Sequence, residues 1–517
     1  MQVREQFPNS ATAWPKQDGQ GGQNGQDRTE VIPVFVPPGA ARRITRRDRH
    51  RDRRYDKWRP AVAPFAITFC LVLGLSVWSY QQNTSVLGWI LTVVWSLPAA
   101  GVLVGLQGAW LIRRRSRRVE EMTPPAVVEH DRLIVLVPTI GRLDTYPALE
   151  RSVLSYVEHL PRYFPSMRVD VLTEEGCTAA DQIDALAASA PPGLVRVLTV
   201  PKAYQTPNGT RFKARANHYA HELRIAQAEA REETWVLHMD DDTAVGPDTA
   251  AALAQFINRQ RRAGPDGKHM AQGILTYPRE ASVNRLTWYA DAVRPADDIA
   301  RFRALTGLGT PLAGVHGELL LLRASIEAEM GGWDFGPKEI VEDARFALTF
   351  SSRYPGRSDW FNGRCYGASP ANVRDFVKQR ERWAWGLVAL CFNRTVPLRY
   401  RAFLALCVTT WILGPLQHIG TVLLIAWFTG NMNTSPVTES VLILWALNFA
   451  YVVWCYWEGL RLNAMASAKR RRKWYEPIVV LALILLFALF EGTGGFRGFV
   501  KFVRREENKF VVIAKPS

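Results

Sequence analysis

Long uncharged stretches flank a polar middle in this chain. Residues 61–80 carry no charge in twenty positions, enough helix to span the ~30 Å hydrocarbon core of a bilayer. A second uncharged stretch runs over 84–112, with Pro98 expected to kink it. Beyond the middle, residues 402–428 are uncharged but interrupted by Gly414-Pro415, and 441–457 form a span ending at Glu458. Residues 477–490 offer only 14 positions between Glu476 and Glu491, short for a spanning helix at ~20 residues. Such a layout predicts a polar domain inserted between two sets of transmembrane helices.

The charge pattern supports that layout. Lys and Arg number 64 against 48 Asp and Glu, a formal net charge of +16, which would suit a nucleic-acid partner if it were spread over a domain. Instead, ten Lys and Arg against three Asp fall in 42–59, and the runs 113–118 and 469–473 carry five basic residues each. These runs account for the whole excess, and each abuts an apolar stretch, where the positive-inside rule places cytoplasmic charge. No nucleic-acid partner is expected, and contact with anionic lipid is the better reading of the basic runs. The mean hydropathy of −0.09 is too polar for a chain mostly embedded in lipid. A transporter would need ionisable groups within its spans, and His418 is the one obvious candidate. The six cysteines show no CxxC spacing, so neither a disulfide framework nor a zinc site is supported. No cleavable signal peptide is expected, since the first apolar stretch begins only after sixty residues.

The expected organisation is a disordered basic cytosolic tail (1–60), two transmembrane helices (61–112), a catalytic domain (119–375), an interfacial helix (376–398), C-terminal membrane segments (400–492) and a basic tail (493–517). Within the middle, LIVLVP (133–138), VDVLT (169–173), VRVLTV (195–200) and WVLHM (235–239) read as buried strands. Periodic segments at 143–160 and 215–231 read as helices between them. That alternation argues for an α/β fold with a mostly parallel sheet and helices on both faces. Ligands then bind at the carboxyl ends of the strands.

Chemistry concentrates at one such end, in HMDDDTAVGPD. Side chains alternate along an extended chain, so Asp240 and Asp242 are expected to face one ligand while Asp241 points aside. Oxygen ligands at a strand end suit Mg2+ or Mn2+ with phosphates completing the shell. The competing reading is a capped helix start at 249–258; it accounts for Pro247-Asp248 but not for three consecutive aspartates. Farther on stands IVEDARF, with Glu342 and Asp343; alone it would be a solvated helix start. In QRERW, Gln379, Arg382 and Trp383 share one helical face at i, i+3, i+4 spacing. An amide and a guanidinium suit a pyrophosphate, and an indole suits a sugar ring; the competing reading is an amphipathic surface helix.

A strand ending in VPT, an aspartate cluster, a Glu-Asp pair and QxxRW, in this order between two sets of apolar spans, resemble membrane-embedded glycosyltransferase family 2. That family includes cellulose and hyaluronan synthases and the egghead-type β-mannosyltransferases. The stretch SPANVRDFVKQRERW (369–383) is most similar to the egghead-like branch, which shares a Ser-Pro before this helix. The resemblance covers 133–385 and the flanking spans. It implies a GT-A (Rossmann-like) catalytic domain and inverting transfer from a UDP- or GDP-linked sugar. By the same resemblance Asp240 and Asp242 bind Mg2+ or Mn2+, and Asp343 is the general base. Thr139, Lys213, Asp240, Gln379 and Arg382 bind the donor and its diphosphate. Trp383 lines the acceptor entrance, with Glu318 and His316 on the acceptor side; a buried structural role competes for His316. Two positions depart from the family pattern: Ala216 stands where Leu is usual after Lys213, and Glu174-Glu175 where an Asp is common.

The expected function is transfer of a sugar, with a β-linkage, to a lipid-linked or membrane acceptor by a multi-pass plasma-membrane enzyme with its catalytic domain in the cytoplasm. The alternatives are a processive β-polysaccharide synthase and a non-catalytic membrane scaffold. The scaffold is disfavoured by Asp240, Asp242, Asp343 and Arg382 occurring together. Donor sugar and acceptor are not legible in the sequence.

Overall fold

The apolar runs of the middle segment become strands whose side chains are buried on both faces. The computed structural model describes residues 60–78, 85–122, 125–413, 422–423, 425–427, 429–432, 442–468 and 472–506. The expected disordered segment of the N-terminal tail, Gly414-Pro415 and His418 lie outside them. The four expected strands appear as β1 (Arg132–Pro138), β2 (Met167–Glu174), β3 (Val195–Val200) and β4 (Thr234–His238). Leu133 to Val137 have no exposed surface, as a strand covered by helices on both sides requires. Four more strands complete the sheet: β5 (Ala244–Val245), β6 (Met270–Thr276), β7 (Leu320–Arg323) and β8 (Ser358–Tyr366).

The sheet is mixed rather than mostly parallel. Its order is β3-β2-β1-β4-β7-β6-β8-β5. The β3-β2-β1-β4 half is parallel, but β7 runs antiparallel to both β4 and β6, and β5 antiparallel to β8. β7 is four fully buried residues, LLLR; a buried run reads the same in either direction, so its sequence carries no sign of polarity.

The helices that bear on the site and its supports are, in chain order, α1 (Ala63–Trp78), α2 (Val86–Ser96), α3 (Pro98–Met122), α4 (Tyr146–His159), α5 (Phe212–Ala226), α6 (Pro247–Ala263), α7 (Val293–Asp297), α8 (Glu342–Arg353), α9 (Val373–Phe392), α10 (Leu398–Ile412), α11 (Leu442–Ala466) and α12 (Glu476–Val503), with further helices such as Ala180–Ser189 and Arg285–Asp291 among them. At Pro98, where a kink is expected, α2 gives way to α3, with Leu97 between them still at helical φ and ψ. α6 starts earlier than expected, with Gly246 at its N-cap and Pro247 in its first turn. Asp248 does not cap it. Its carboxylate instead accepts from Arg364 Nε at 2.8 Å and from the Tyr366 hydroxyl, tying α6 to β8.

Two helical runs among the described residues, Val86–Leu111 and Glu476–Val503, are long and apolar enough to cross a membrane. α1, at 16 residues, is shorter. The last segment departs from expectation, since α12 continues through Glu491 and into the region expected as a basic tail. Glu491 does not end it because its carboxylate accepts from Arg380 Nε of α9 at 2.9 Å. The glycines that follow let the two helices touch: a Cβ on Gly498 would collide with the Glu381 carbonyl oxygen. α11 likewise runs past Glu458, a buried side chain that accepts from the Ala61 backbone N–H at 2.7 Å.

Candidate active site

β1 and β4 end side by side, and their ends open into one elongated cavity of about 1060 Å³. Thr139, just past β1, donates its hydroxyl to Asp241 Oδ2 at 2.8 Å. Asp240, Asp241 and Asp242 all line the cavity. Asp241 therefore does not point aside: β4 ends at His238, and Asp241 and Asp242 lie in a turn, where strand alternation no longer applies. Lys213, in the first turn of α5, pairs with the Asp240 carboxylate and donates to the Gly317 carbonyl at 3.2 Å. Burial opposes its charge, but Asp240 and Glu342 raise its pKa above the ordinary lysine value.

Two non-glycine residues with positive φ sit beside site groups. Phe212 (φ 57°) precedes Lys213, and Leu319 (φ 55°) follows Glu318. Left-handed backbone costs an ordinary residue ~1–3 kcal/mol and persists where surrounding structure enforces it. Asp343 lies in the first turn of α8 and accepts from the Ala344 N–H at 2.7 Å. Burial, then neighbouring Glu342, push its pKa up to about 7, against the opposing pull of the Ala344 N–H and Lys213. Burial and Asp240 likewise push the Glu318 carboxyl up. The cavity end is thus crowded with carboxyl groups around a single lysine.

His316 also lines the cavity, yet its Nε2 is committed to Asp298 Oδ1 at 2.5 Å. Its backbone N–H donates to Gln272 Oε1 at 2.9 Å. Burial lowers the His316 pKa, and Asp298 more than offsets that, so the net direction is upward. The structural reading competing for this residue describes its bonding. In α9, Gln379, Arg382 and Trp383 reach the same cavity. Burial lowers the Arg382 pKa, against Glu342 and Asp240. The Trp383 ring is faced by the guanidinium of Arg294 at 4.6 Å and that of Arg380 at 4.9 Å.

Arg294 and Arg380 are the residues the sequence did not reveal. Arg380 is fully buried and pairs with Asp291 and Glu491, fixing α9 in place. Arg294 donates to the Tyr277 hydroxyl on the cavity wall. Both acidic partners of Arg380 are distant in sequence. Glu174, where the family pattern favours Asp, lines the cavity and receives Arg215 Nη1 at 2.6 and 2.9 Å.

Among the described residues no group of three or more His, Cys, Asp or Glu is arranged to hold a metal ion. The donor chemistry nevertheless fits a divalent cation shared with a ligand: Asp240 and Asp242 offer hard oxygens, and a bound diphosphate would supply others. The crowding that raises Asp343 and Glu318 is what such a cation relieves. Away from the acids the cavity continues past Tyr277, Arg294 and Trp383 to Trp411, Phe449 and Leu485 on the apolar helices.

The site thus sets an acidic strand end beside a lysine and a half-buried aspartate on a mixed sheet. Residues 235–457 match the model of glycosyl transferase family group 2. The chain is 30% identical over 226 residues to the β-1,4-mannosyltransferase egh of Drosophila melanogaster, covering 43% of this chain and 47% of that one. It is 30% identical over 228 residues to the β-1,4-mannosyltransferase bre-3 of Caenorhabditis elegans, covering 44% and 48%. The chain thus spans about half the length of the curated relatives it matches. Among solved structures, the mannosyltransferase PcManGT from Pyrobaculum calidifontis, in complex with GDP-Man and Mn2+, is similar at 15% identity and a TM-score of 0.42, covering 81% of this chain and 100% of that one.

Proposed function

We propose that this protein is an inverting glycosyltransferase that moves a sugar from a nucleoside-diphosphate donor to the hydroxyl of a lipid-linked acceptor, forming a β-linkage. One observation carries the reading: a single cavity joins Asp240, Lys213, Arg382 and Asp343 to an apolar end built from helices that include a membrane-length span. An acceptor with a polar head and a hydrocarbon tail matches both ends. The shared name of the 30% identical relatives makes a mannosyl donor the first candidate.

In this reading the donor diphosphate lies between Thr139, Lys213, Gln379 and Arg382, and Trp383, His316 and Glu318 border the acceptor. The acceptor oxygen attacks the anomeric carbon as the bond to the diphosphate oxygen breaks, and the electron pair leaves with the diphosphate. The hydroxyl proton passes to the Asp343 carboxylate, whose elevated pKa suits a base near neutral pH. Lys213 and Arg382 stabilise charge developing on the leaving group. Mg2+ or Mn2+ held by Asp240 and Asp242 supplies further charge neutralisation at the diphosphate. A single displacement at an α-linked donor yields the β-product. In this reading the apolar runs lie in a membrane and the catalytic domain faces the cytoplasm, an orientation the bias of the basic runs supports.

Product analysis tests this. Purified protein given radiolabelled GDP-mannose or UDP-hexose and membrane lipid extract is expected to put label into an organic-extractable product one sugar larger than its acceptor. A water-soluble ladder of products would instead establish the processive alternative.

A further inference from the structure

Trp383 is faced by two guanidinium groups with different partners. Arg380 is fully buried and is held by the carboxylates of Asp291 and Glu491. Arg294, in α7, is half-buried and lines the cavity. It donates to the Tyr277 hydroxyl, and among the described residues its side chain makes no further hydrogen bond and no ion pair. Its guanidinium carbon stands 4.6 Å from the centre of the Trp383 ring and 5.8 Å from that of Tyr277. A guanidinium held against a ring keeps the N–H donors at its edge for a ligand.

The acids around Arg294 are committed elsewhere. Asp291 pairs with Arg380, and Asp298 takes His316 Nε2 and the Leu275 N–H. Glu318 divides its attraction among His316, Arg294 and Lys213. A charge held partly out of water without its own counter-ion is costly, and an anionic ligand removes that cost. Position narrows the ligand. The Asp343 carboxylate and the Lys213 ammonium both lie beside Gly317. Arg294 stands instead with Tyr277 and Trp383, past which the cavity becomes apolar. We propose that Arg294, with Tyr277 and Trp383, forms an anion subsite for a phosphate that joins the acceptor's sugar to its lipid tail. The edge of the guanidinium takes the phosphate oxygens, as a fork of parallel donors does. The Tyr277 hydroxyl, already accepting from Arg294, has its own proton to donate. The subsite rests on the lipid-acceptor reading and names the acceptor class, a phosphate-linked glycolipid rather than a neutral one.

The test is native mass spectrometry of the full chain in detergent with two probes of equal head and tail. One is hexadecyl β-glucoside; the other is glucose 1-(hexadecyl phosphate), which differs by the phosphate alone. Wild type is expected to bind the phosphate probe ~10-fold more tightly, the size of a charge-assisted hydrogen bond. Arg294→Gln is expected to remove that preference, with the neutral probe's affinity and the thermal midpoint unchanged. Arg294→Lys, which keeps the charge without the fork, is expected to keep part of it. Arg285→Gln, the same charge change at an exposed residue, is expected to leave it intact. No preference in wild type, whether both probes bind or neither, means that Arg294 is only solvated and overturns the proposal. So does a preference that survives Arg294→Gln, which would assign the phosphate to the Lys213 and Arg382 end. If Arg294→Gln does not fold, a preference equal to wild type in Arg294→Lys overturns it as well. Phosphate preference in a protein that releases no nucleotide would sink the transferase reading and leave the subsite standing.

Discussion

Lys213 is paired with Asp240 across the mouth of the cavity while its ammonium also donates to the Gly317 carbonyl. The lysine thus sits where a cation would meet the first aspartate of the cluster, directly after the left-handed Phe212.

Lys213→Met removes that cation. Turnover is expected to fall ~10²-fold, the usual loss when one charge stabiliser leaves a reacting centre. The Mn2+ concentration giving half-maximal nucleotide release should fall as well, because the ammonium no longer competes for Asp240. A metal titration of both proteins reads the two numbers.

Asp343 predicts a pH dependence in activity and in stability. As the proposed base it must be ionised, so kcat is expected to rise with pH through about 7. Stability runs the other way. A folded pKa of about 7 above a reference value of 3.8 means the native state binds the proton more tightly. Its contribution is complete at pH below about 4 and is lost as pH rises through about 7. Asp343→Asn should cut turnover by ~10²–10⁴. It should also raise the melting temperature at pH 8 by ~2–4 °C relative to wild type, with little effect at pH 4. Melting curves of both proteins at the two pH values check the sign.

A buried polar cluster lies against the end of β4, where His238 stands 3.5 Å from Glu327. Arg224 pairs with Glu327 at 2.7 Å, both side chains almost fully buried, and Glu327 also accepts from Trp333 Nε1 at 2.6 Å. Glu327→Gln leaves Arg224 buried without its counter-charge and is expected to cost ~3–5 kcal/mol. Arg224→Met with Glu327→Leu should cost less than the single change, which denaturant unfolding in detergent will show.

Much of this arrangement is legible in the sequence because it depends on local patterns. The continuous apolar runs gave β1 to β4 nearly to the residue, and the triple aspartate marked the strand end. What stayed hidden depends on partners far apart in the chain. The direction of β7 is set by its place between β4 and β6. Glu491 looked like the end of a membrane segment because its partner, Arg380, lies 111 residues earlier. Arg294 meets Trp383 and Tyr277 only in the folded molecule. Asp241 lines the cavity because side-chain alternation stops with β4 at His238.

The α9–α12 contact offers a test of that hidden part. Gly498 leaves no room for a side chain against the Glu381 backbone. Gly498→Leu is expected to destabilise the protein by ~1–3 kcal/mol, as overpacking does. It should also lower turnover, since α9 carries Gln379, Arg382 and Trp383. Unfolding midpoint and nucleotide release, measured on one preparation, should fall together.

The most direct measurement is nucleotide release by detergent-purified protein with Mn2+ or Mg2+ across a panel of GDP- and UDP-sugars, with lipid extract as acceptor and Asp343→Asn alongside. The account predicts metal-dependent release from one donor, lost in the variant. Release that persists undiminished in Asp343→Asn, or silence across the whole panel, would contradict it.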